Sequence, residues 1–159
     1  MRILIVSDTH RRHGYLMEAL ERVQPIDLLI HLGDAEGEEE EIALLAECPV
    51  EIVLGNNDFF SDLPREKAVQ LGRYRVLLTH GHYYGVNMGL SMIRKEAAAG
   101  NYDIVMFGHT HRPVIAEENG IIALNPGSIS YPRQEGRSPS CILMQIDQKG
   151  EAQFEIMYF

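Results

Sequence analysis

The sequence predicts an α/β fold in which two sheets pack together and helices lie outside them. Three observations carry that prediction. Six short apolar runs are continuous rather than alternating, as strands buried on both faces are. Segments of helical periodicity lie between several of the earlier runs, so strand and helix alternate. Beyond residue 112 the pattern changes to strand-like segments joined by short turns.

The elements follow in order. Ile3-Leu4-Ile5-Val6 is the first run, and a helix is expected over 14–24, where Leu16, Leu20 and Val23 fall on one face. Leu28-Leu29-Ile30 is the second run. The acidic stretch 38–41 after it suits the first turn of a helix over 38–46 that carries Ile42 and Leu45 on one side. Ile52-Val53-Leu54 and Val76-Leu77-Leu78 are the third and fourth runs. A helix over 88–99 presents Leu90, Ile93 and Ala97, and Gly100 closes it. Met88 and Met92 are read as helix packing. Ile104-Val105-Met106-Phe107 and Ile121-Ile122-Ala123-Leu124 are the last two runs. Strands are expected near 113–117, 121–125, 140–147 and 152–158, with Asn119-Gly120 as a hairpin signal and Lys149-Gly150 as a weaker one. No Ser/Gly/Pro-rich linker divides the chain, so 1–159 reads as one domain.

Composition narrows the function classes. Hydrophobic residues make up 45% and charged residues 23%, ordinary values for a globular chain. The formal net charge of -9 repels nucleic acid backbones and anionic membranes, so neither is expected as a non-specific partner. Part of that charge can be local, since carboxylates around bound cations are neutralised by them. The apolar run after Met1-Arg2 is too short for a signal core, and no run approaches the roughly 20 residues of a membrane helix. Cys48 and Cys141 match no zinc spacing and read as reduced thiols of a cytoplasmic protein.

Each apolar run ends in a polar cluster. In parallel sheets ligands gather at the carboxyl ends of strands, so these clusters are expected at one edge. They offer Asp8, His10, Asp34, Asn56, His80, His109 and His111: nitrogen and oxygen donors without sulfur, a set that suits manganese first, with iron, zinc or nickel as alternatives. Seven donors exceed the four of a single zinc site and suffice for two metals sharing a carboxylate. Asp8-Thr9-His10 and His109-Thr110-His111 space their donors two apart. In extended backbone that spacing points both to one side, so each pair is expected to converge on one centre. Gly33, Gly55, Gly81 and Gly108 stand beside donors, where the backbone turns and approaches closely. Singly, Asp8 or Asn56 reads as a turn residue. Jointly, donors after five apolar runs have no such explanation. His13 and His31 are read as structural.

In these blocks the sequence resembles the calcineurin-like metallophosphoesterases, whose motifs run D-x-H, G-D, G-N-H-D/E, G-H and G-H-x-H. The chain has Asp8-Thr9-His10, Gly33-Asp34, Gly55-Asn56-Asn57-Asp58, His80-Gly81-His82 and Gly108-His109-Thr110-His111 in that order. Its length and Asn125-Pro126-Gly127-Ser128 are similar to the small bacterial and archaeal phosphodiesterase branch. The resemblance implies a four-layer α/β/β/α sandwich. It also implies a dinuclear divalent metal centre whose bridging hydroxide attacks phosphorus in line. Asp8, His10 and His111 would hold the first metal; Asn56, His80 and His109 the second; Asp34 would bridge them. The substrate would be a small phosphate ester, a diester rather than a monoester, and members of the branch often associate as homo-oligomers.

One position departs. Asn57 stands where the family carries the histidine assigned to protonate the leaving group, and an amide is no general acid. Asp58, which would orient that histidine, loses its partner. His82 or water is then the candidate acid, while Asn57 is expected to donate a hydrogen bond to a phosphate oxygen. Arg11, Arg12 and Arg133 are candidates for contacting substrate charge, and Asn125-Pro126-Gly127-Ser128 is read as a turn lining the site. A non-catalytic metal-binding scaffold on the same fold is the alternative function, because one relative is a trafficking-complex subunit with weakened ligands; the seven intact donors favour the enzyme. A mononuclear hydrolase of carbon–nitrogen bonds is disfavoured, since no lysine falls in the clusters.

Overall fold

A computed structural model describes residues 1–159. The first apolar run forms β1 (Arg2–Val6), and the amphipathic segment after it forms α1 (Gly14–Val23) with Leu16, Ala19, Leu20 and Val23 buried. Next come β2 (Leu28–His31), α2 (Glu39–Ala46) and β3 (Val50–Ile52). Then follow the hairpin of β4 (Glu66–Leu71) and β5 (Tyr74–Thr79), and α3 (Ser91–Ala99). The chain ends in β6 (Ile104–Met106), β7 (Pro113–Glu118), β8 (Ile121–Pro126), β9 (Ser140–Ile146) and β10 (Ala152–Tyr158).

The strands make two five-stranded sheets, ordered β10-β9-β1-β2-β3 and β4-β5-β6-β8-β7. β1, β2 and β3 are parallel, and so are β5, β6 and β8. Ile3, Ile5, Ile30 and Met144 from one sheet pack against Val76, Leu78, Ile104 and Met106 from the other, which makes the central core. Alternate residues Leu4, Val6 and Leu29 face outward under α1 and α2. On the far side, Leu77, Val105 and Ala123 lie under α3. The order is therefore helix, sheet, sheet, helix, the expected four-layer sandwich. Both faces of the central strands are covered, which is why their runs are continuously apolar.

Differences from expectation are local. Strand β3 ends at Ile52, earlier than the run 52–54, and Val53 and Leu54 continue past it toward the site. Strand β4, which no apolar run announces, is an edge strand with alternating exposure. Met88 and Met92 are exposed at 94% and 61%, so they do not pack the helix as expected; Met88 lies in a 3-10 turn, Val86–Met88, before α3 begins. Asn119-Gly120 makes the tight β7–β8 turn, with φ of 53° and 77°. Both cysteines are free, Cys141 in the core and Cys48 half-buried. No helix is long and apolar enough to cross a membrane.

Candidate metal centre

The carboxyl ends of β1, β2, β3, β5 and β6 point to one edge, and the loops after them carry the seven donors. These loops are zipped to each other beyond the sheets. The Asp8 amide donates to the Gly33 carbonyl at 3.0 Å, the His10 amide to the Asp34 carbonyl at 3.0 Å, and the Gly108 amide to the His80 carbonyl at 3.1 Å.

The expected reason for convergence is corrected by the backbone. Asp8, His10, Asp34, His109 and His111 all have positive φ, between 44° and 68°, so these segments are not extended. Left-handed kinks, not strand alternation, turn the donors inward. Side chains in that region are strained and persist where the surroundings hold them, most often at functional sites. His109 and His111 accordingly reach different partners instead of one centre. His111 Nε2 lies 3.1 Å from Asp8 Oδ1, whereas His109 Nδ1 lies 2.8 Å from Asn56 Oδ1.

The geometry forms two adjoining groups. In the first, ligand atoms of Asp8, His10 and His111 lie within 4.8 Å of one another; in the second, those of Asp8, Asp34 and His80 do so. Asn56 Oδ1 extends the second group, 3.0 Å from His80 Nε2. Asp34 Oδ2 stands between the groups, 3.8 Å from His10 Nε2 and 3.6 Å from His80 Nε2. Asp8 Oδ1 also faces both, 3.9 Å from His10 Nε2 and 4.0 Å from His80 Nε2.

Hydrogen bonds behind the rings fix which nitrogen looks inward. His10 Nδ1 donates to Glu36 Oε1 at 2.6 Å, His80 Nδ1 to the Leu32 carbonyl at 2.6 Å and His111 Nδ1 to the Tyr131 carbonyl at 2.6 Å. Those partners only accept, so Nδ1 holds the proton and each Nε2 presents a lone pair to the cage. Such outer hydrogen bonds orient imidazoles that bind metals. Carboxylate and amide oxygens face the same lone pairs, and Asp8 Oδ1 is buried with no hydrogen-bond partner. Electron pairs crowded this closely need cations or protons between them. The donor set and its orphaned oxygen therefore fit divalent metal ions.

The protonation of the cage follows from its contacts. Burial pushes the Asp8 carboxyl up, but the His111 imidazole against it and the nearby His80 outweigh burial and hold it at about 2. Burial depresses His111, yet its contact with Asp8 raises it on balance. Burial lowers His109, and His80 adds to the effect. His82 sits beside the second group, its ring 5.3 Å from that of His80 and 6.0 Å from that of His109. Burial pushes it down to about 4, helped by those two imidazoles, so it is uncharged at neutral pH.

Asn57 and Asp58 lie behind Asp34. The Asn57 amide N–H donates to Asp34 Oδ1 at 2.8 Å, and its side-chain Nδ2 donates to Asp34 Oδ2 at 2.7 Å. Asp58 accepts three backbone N–H groups, from Asp34 at 2.8 Å, Gly55 at 2.7 Å and Glu36 at 2.6 Å. It thus ties the loop after β2 to the loop after β3. Glycine is required at the crossing: a Cβ on Gly55 would lie 2.1 Å from Asp34 Oδ1. Asn125 and Ser128 brace from the other side. Asn125 Nδ2 donates to the Gly108 carbonyl at 2.6 Å, and Ser128 Oγ to the Asp8 carbonyl at 2.8 Å.

His31 is buried beneath the cage. Its Nδ1 accepts the Gly33 N–H at 3.2 Å, so Nε2 carries the proton toward Thr9 Oγ1 at 3.0 Å. A second proton has no acceptor to meet, and burial pushes the imidazole down to about 4 from 6.5. Because the folded value is below the unfolded one, the unfolded chain binds more protons as pH falls. This stability is complete above pH about 6.5 and lost down to about 4, on the order of 3 kcal/mol in all. Urea midpoints of chelated protein are expected to fall across that window, and less steeply in His31→Gln. Parallel pH profiles of the two would contradict it. His13 also lies outside the cage, with Glu38 Oε2 3.7 Å from its Nε2, while Glu38 Oε1 pairs with Arg11 at 3.3 Å.

Sequence reasoning missed Glu36, whose only local signal is one more carboxylate beside an acidic stretch. It also missed Arg112 and Arg137, which with Arg133 line a cleft beside His10 and His111. Of the arginines it singled out, Arg12 stacks over the Tyr131 ring at 4.5 Å.

Residues 1–149 match the calcineurin-like phosphoesterase superfamily domain. A probable metallophosphoesterase of Bacillus subtilis, YsnB, is 36% identical over 134 residues, 84% of this chain and 78% of that one. The phosphodiesterase MJ0936 of Methanocaldococcus jannaschii is 29% identical over 150 residues, 80% of this chain and 83% of that one. The crystal structure of a conserved uncharacterized protein of Streptococcus pneumoniae TIGR4, described as a predicted phosphoesterase, superposes with a TM-score of 0.80. It has 28% identity and covers 99% of this chain and 97% of its own. Zinc-complexed Vps29 of Entamoeba histolytica also reaches 0.80, at 22% identity and 99% of both chains, and so shares the fold.

Proposed function

The chain belongs to the calcineurin-like phosphoesterase superfamily, and on that footing we propose that it hydrolyses phosphodiesters with two divalent ions held in the cage. Asp8, His10 and His111 would hold the first ion, Asn56, His80 and His109 the second, and Asp34 would bridge them. The observation that carries this reading is the inward crowd of donor atoms around Asp34 Oδ2, with buried Asp8 Oδ1 faced by the imidazole nitrogens of His111, His10 and His80. When bound, two such ions supply the ionised water and the charge neutralisation that in-line displacement at phosphorus needs. The nitrogen and oxygen donors suit manganese, with iron, zinc or nickel as alternatives.

The chain's own residues then do the positioning. Glu36, Leu32 and Tyr131 hold the imidazoles, and Asn57 and Asp58 hold Asp34. No strong acid stands ready for the leaving oxygen. Asn57 is an amide committed to Asp34, which leaves His82, its ring 5.3 Å from that of His80, or water to supply the proton. Esters with acidic leaving groups therefore react fastest. Likeness to a relative named a phosphodiesterase supports diesters over monoesters.

The test is hydrolysis of bis(4-nitrophenyl) phosphate. Turnover is expected with manganese and is abolished by chelation, and alkyl diesters and 4-nitrophenyl phosphate are cleaved more slowly. Stoichiometric manganese binding without turnover of any ester would contradict the enzyme and favour the metal-binding scaffold.

A further inference from the structure

The cleft beside the cage holds the clearest unassigned chemistry on the molecule. It has a volume of about 920 Å³, in the range of small-molecule sites, and it opens from His10 and His111. Arg112, Arg133 and Arg137 line it, and its one carboxylate is Glu36, already taken by His10 Nδ1. In a chain of net charge -9 this concentration of cations is against the trend. Arg11, Arg22, Arg73 and Arg94 pair with carboxylates, and Arg12, Arg65 and Arg75 lie over aromatic rings, whereas the three cleft arginines form no ion pair and gather in one place.

The cleft is built as well as charged. The Arg133 amide donates to the His111 carbonyl at 3.0 Å, and Arg112 Nε donates to the Arg133 carbonyl at 3.3 Å. That leaves the terminal nitrogens of Arg112 free, in the planar fork that matches phosphate oxygens. The same backbone fixes the cleft to the cage, because Tyr131, two residues before Arg133, accepts the His111 Nδ1 proton. Arg112 and Arg133 also border an adjoining groove of about 550 Å³ with Val86, Met88, Leu90, Phe107 and Val114 on its walls, which gives an organic body a place to lie.

We propose that this cleft binds a second phosphate group of the substrate, so that the preferred substrates are small phosphodiesters that also carry a phosphomonoester. The inference rests on the phosphodiesterase reading for its reacting phosphate, but the cleft itself needs no metal. The substrate's body spans from the cage, where the diester lies, to the guanidinium groups, where the monoester lies.

Two arms test it. In the first, calorimetry in EDTA compares thymidine 3′-phosphate 5′-(methyl phosphate), a bisphosphate with one diester and one monoester, with thymidine 5′-(methyl phosphate), which carries the diester alone. The bisphosphate is expected to bind about tenfold tighter or more. That margin disappears in the Arg133→Ala/Arg137→Ala double variant and is partly kept in the double lysine variant. In the second, with manganese, kcat/KM is compared for the 4-nitrophenyl ester of thymidine 5′-phosphate with and without a 3′-phosphate. A similar preference for the phosphorylated ester is expected, and its loss in the double alanine variant. Equal binding of the two nucleotides to wild type, or a preference that survives the double variant, would overturn the proposal. So would an oligothymidylate that binds tighter than the bisphosphate, which would indicate a nucleic acid strand. If neither ester is hydrolysed while the EDTA binding margin holds, the phosphodiesterase reading falls and the anion cleft stands.

Discussion

Asp34→Asn is expected to lower the manganese-supported rate on an aryl phosphodiester by about 10³-fold or more, with the circular dichroism of the folded chain retained. Asp34 is 1% exposed, and both its oxygens are in use. Oδ1 accepts the Asn57 backbone N–H and Oδ2 the Asn57 side-chain amide, while Oδ2 also faces His10 and His80. An amide at this position loses the charge that would hold two cations. Its NH₂ must also replace one of the two acceptors, so the Asn57 side-chain amide has to flip or a hydrogen bond is lost. A rate near that of wild type would refute the bridging role.

Asp58→Ala carries the largest expected cost to stability. It leaves three backbone N–H groups, those of Asp34, Glu36 and Gly55, without their acceptor in a buried turn. At roughly 1–3 kcal/mol for each group stranded from water, a loss of about 3–5 kcal/mol is expected by urea unfolding. Asp58→Asn is expected to lose less, since one oxygen is kept. Wild-type stability in Asp58→Ala would mean that the carboxylate does not clamp the two loops.

The central strands were legible in the sequence because both faces are covered. Ile3 and Ile5 enter the inter-sheet core while Leu4 and Val6 pack under the helices, so no polar residue interrupts the run. Edge elements were not. In β4 only every second residue is sheltered, and Glu66, Lys67 and Gln70 hide the strand among polar residues. The donors were legible because each follows a strand end, a position that one chain segment encodes alone. Their geometry was not: the kinks at Asp8, His10, Asp34, His109 and His111 are set by loops meeting across the fold, not by their own spacing. Glu36 on His10 and Arg112 beside Arg133 likewise depend on partners 26 and 21 residues away, and such pairings leave no periodic mark. His31 did read correctly as structural, and it supports the Gly33–Asp34 turn from below.

A crystal grown with ample manganese and measured at the manganese absorption edge tests the cage most directly. Two anomalous peaks about 3.5–4 Å apart are expected, with Asp34 between them, Asp8, His10 and His111 around one, and Asn56, His80 and His109 around the other. A single peak, no peak, or these side chains turned away from a shared centre would contradict the dinuclear site.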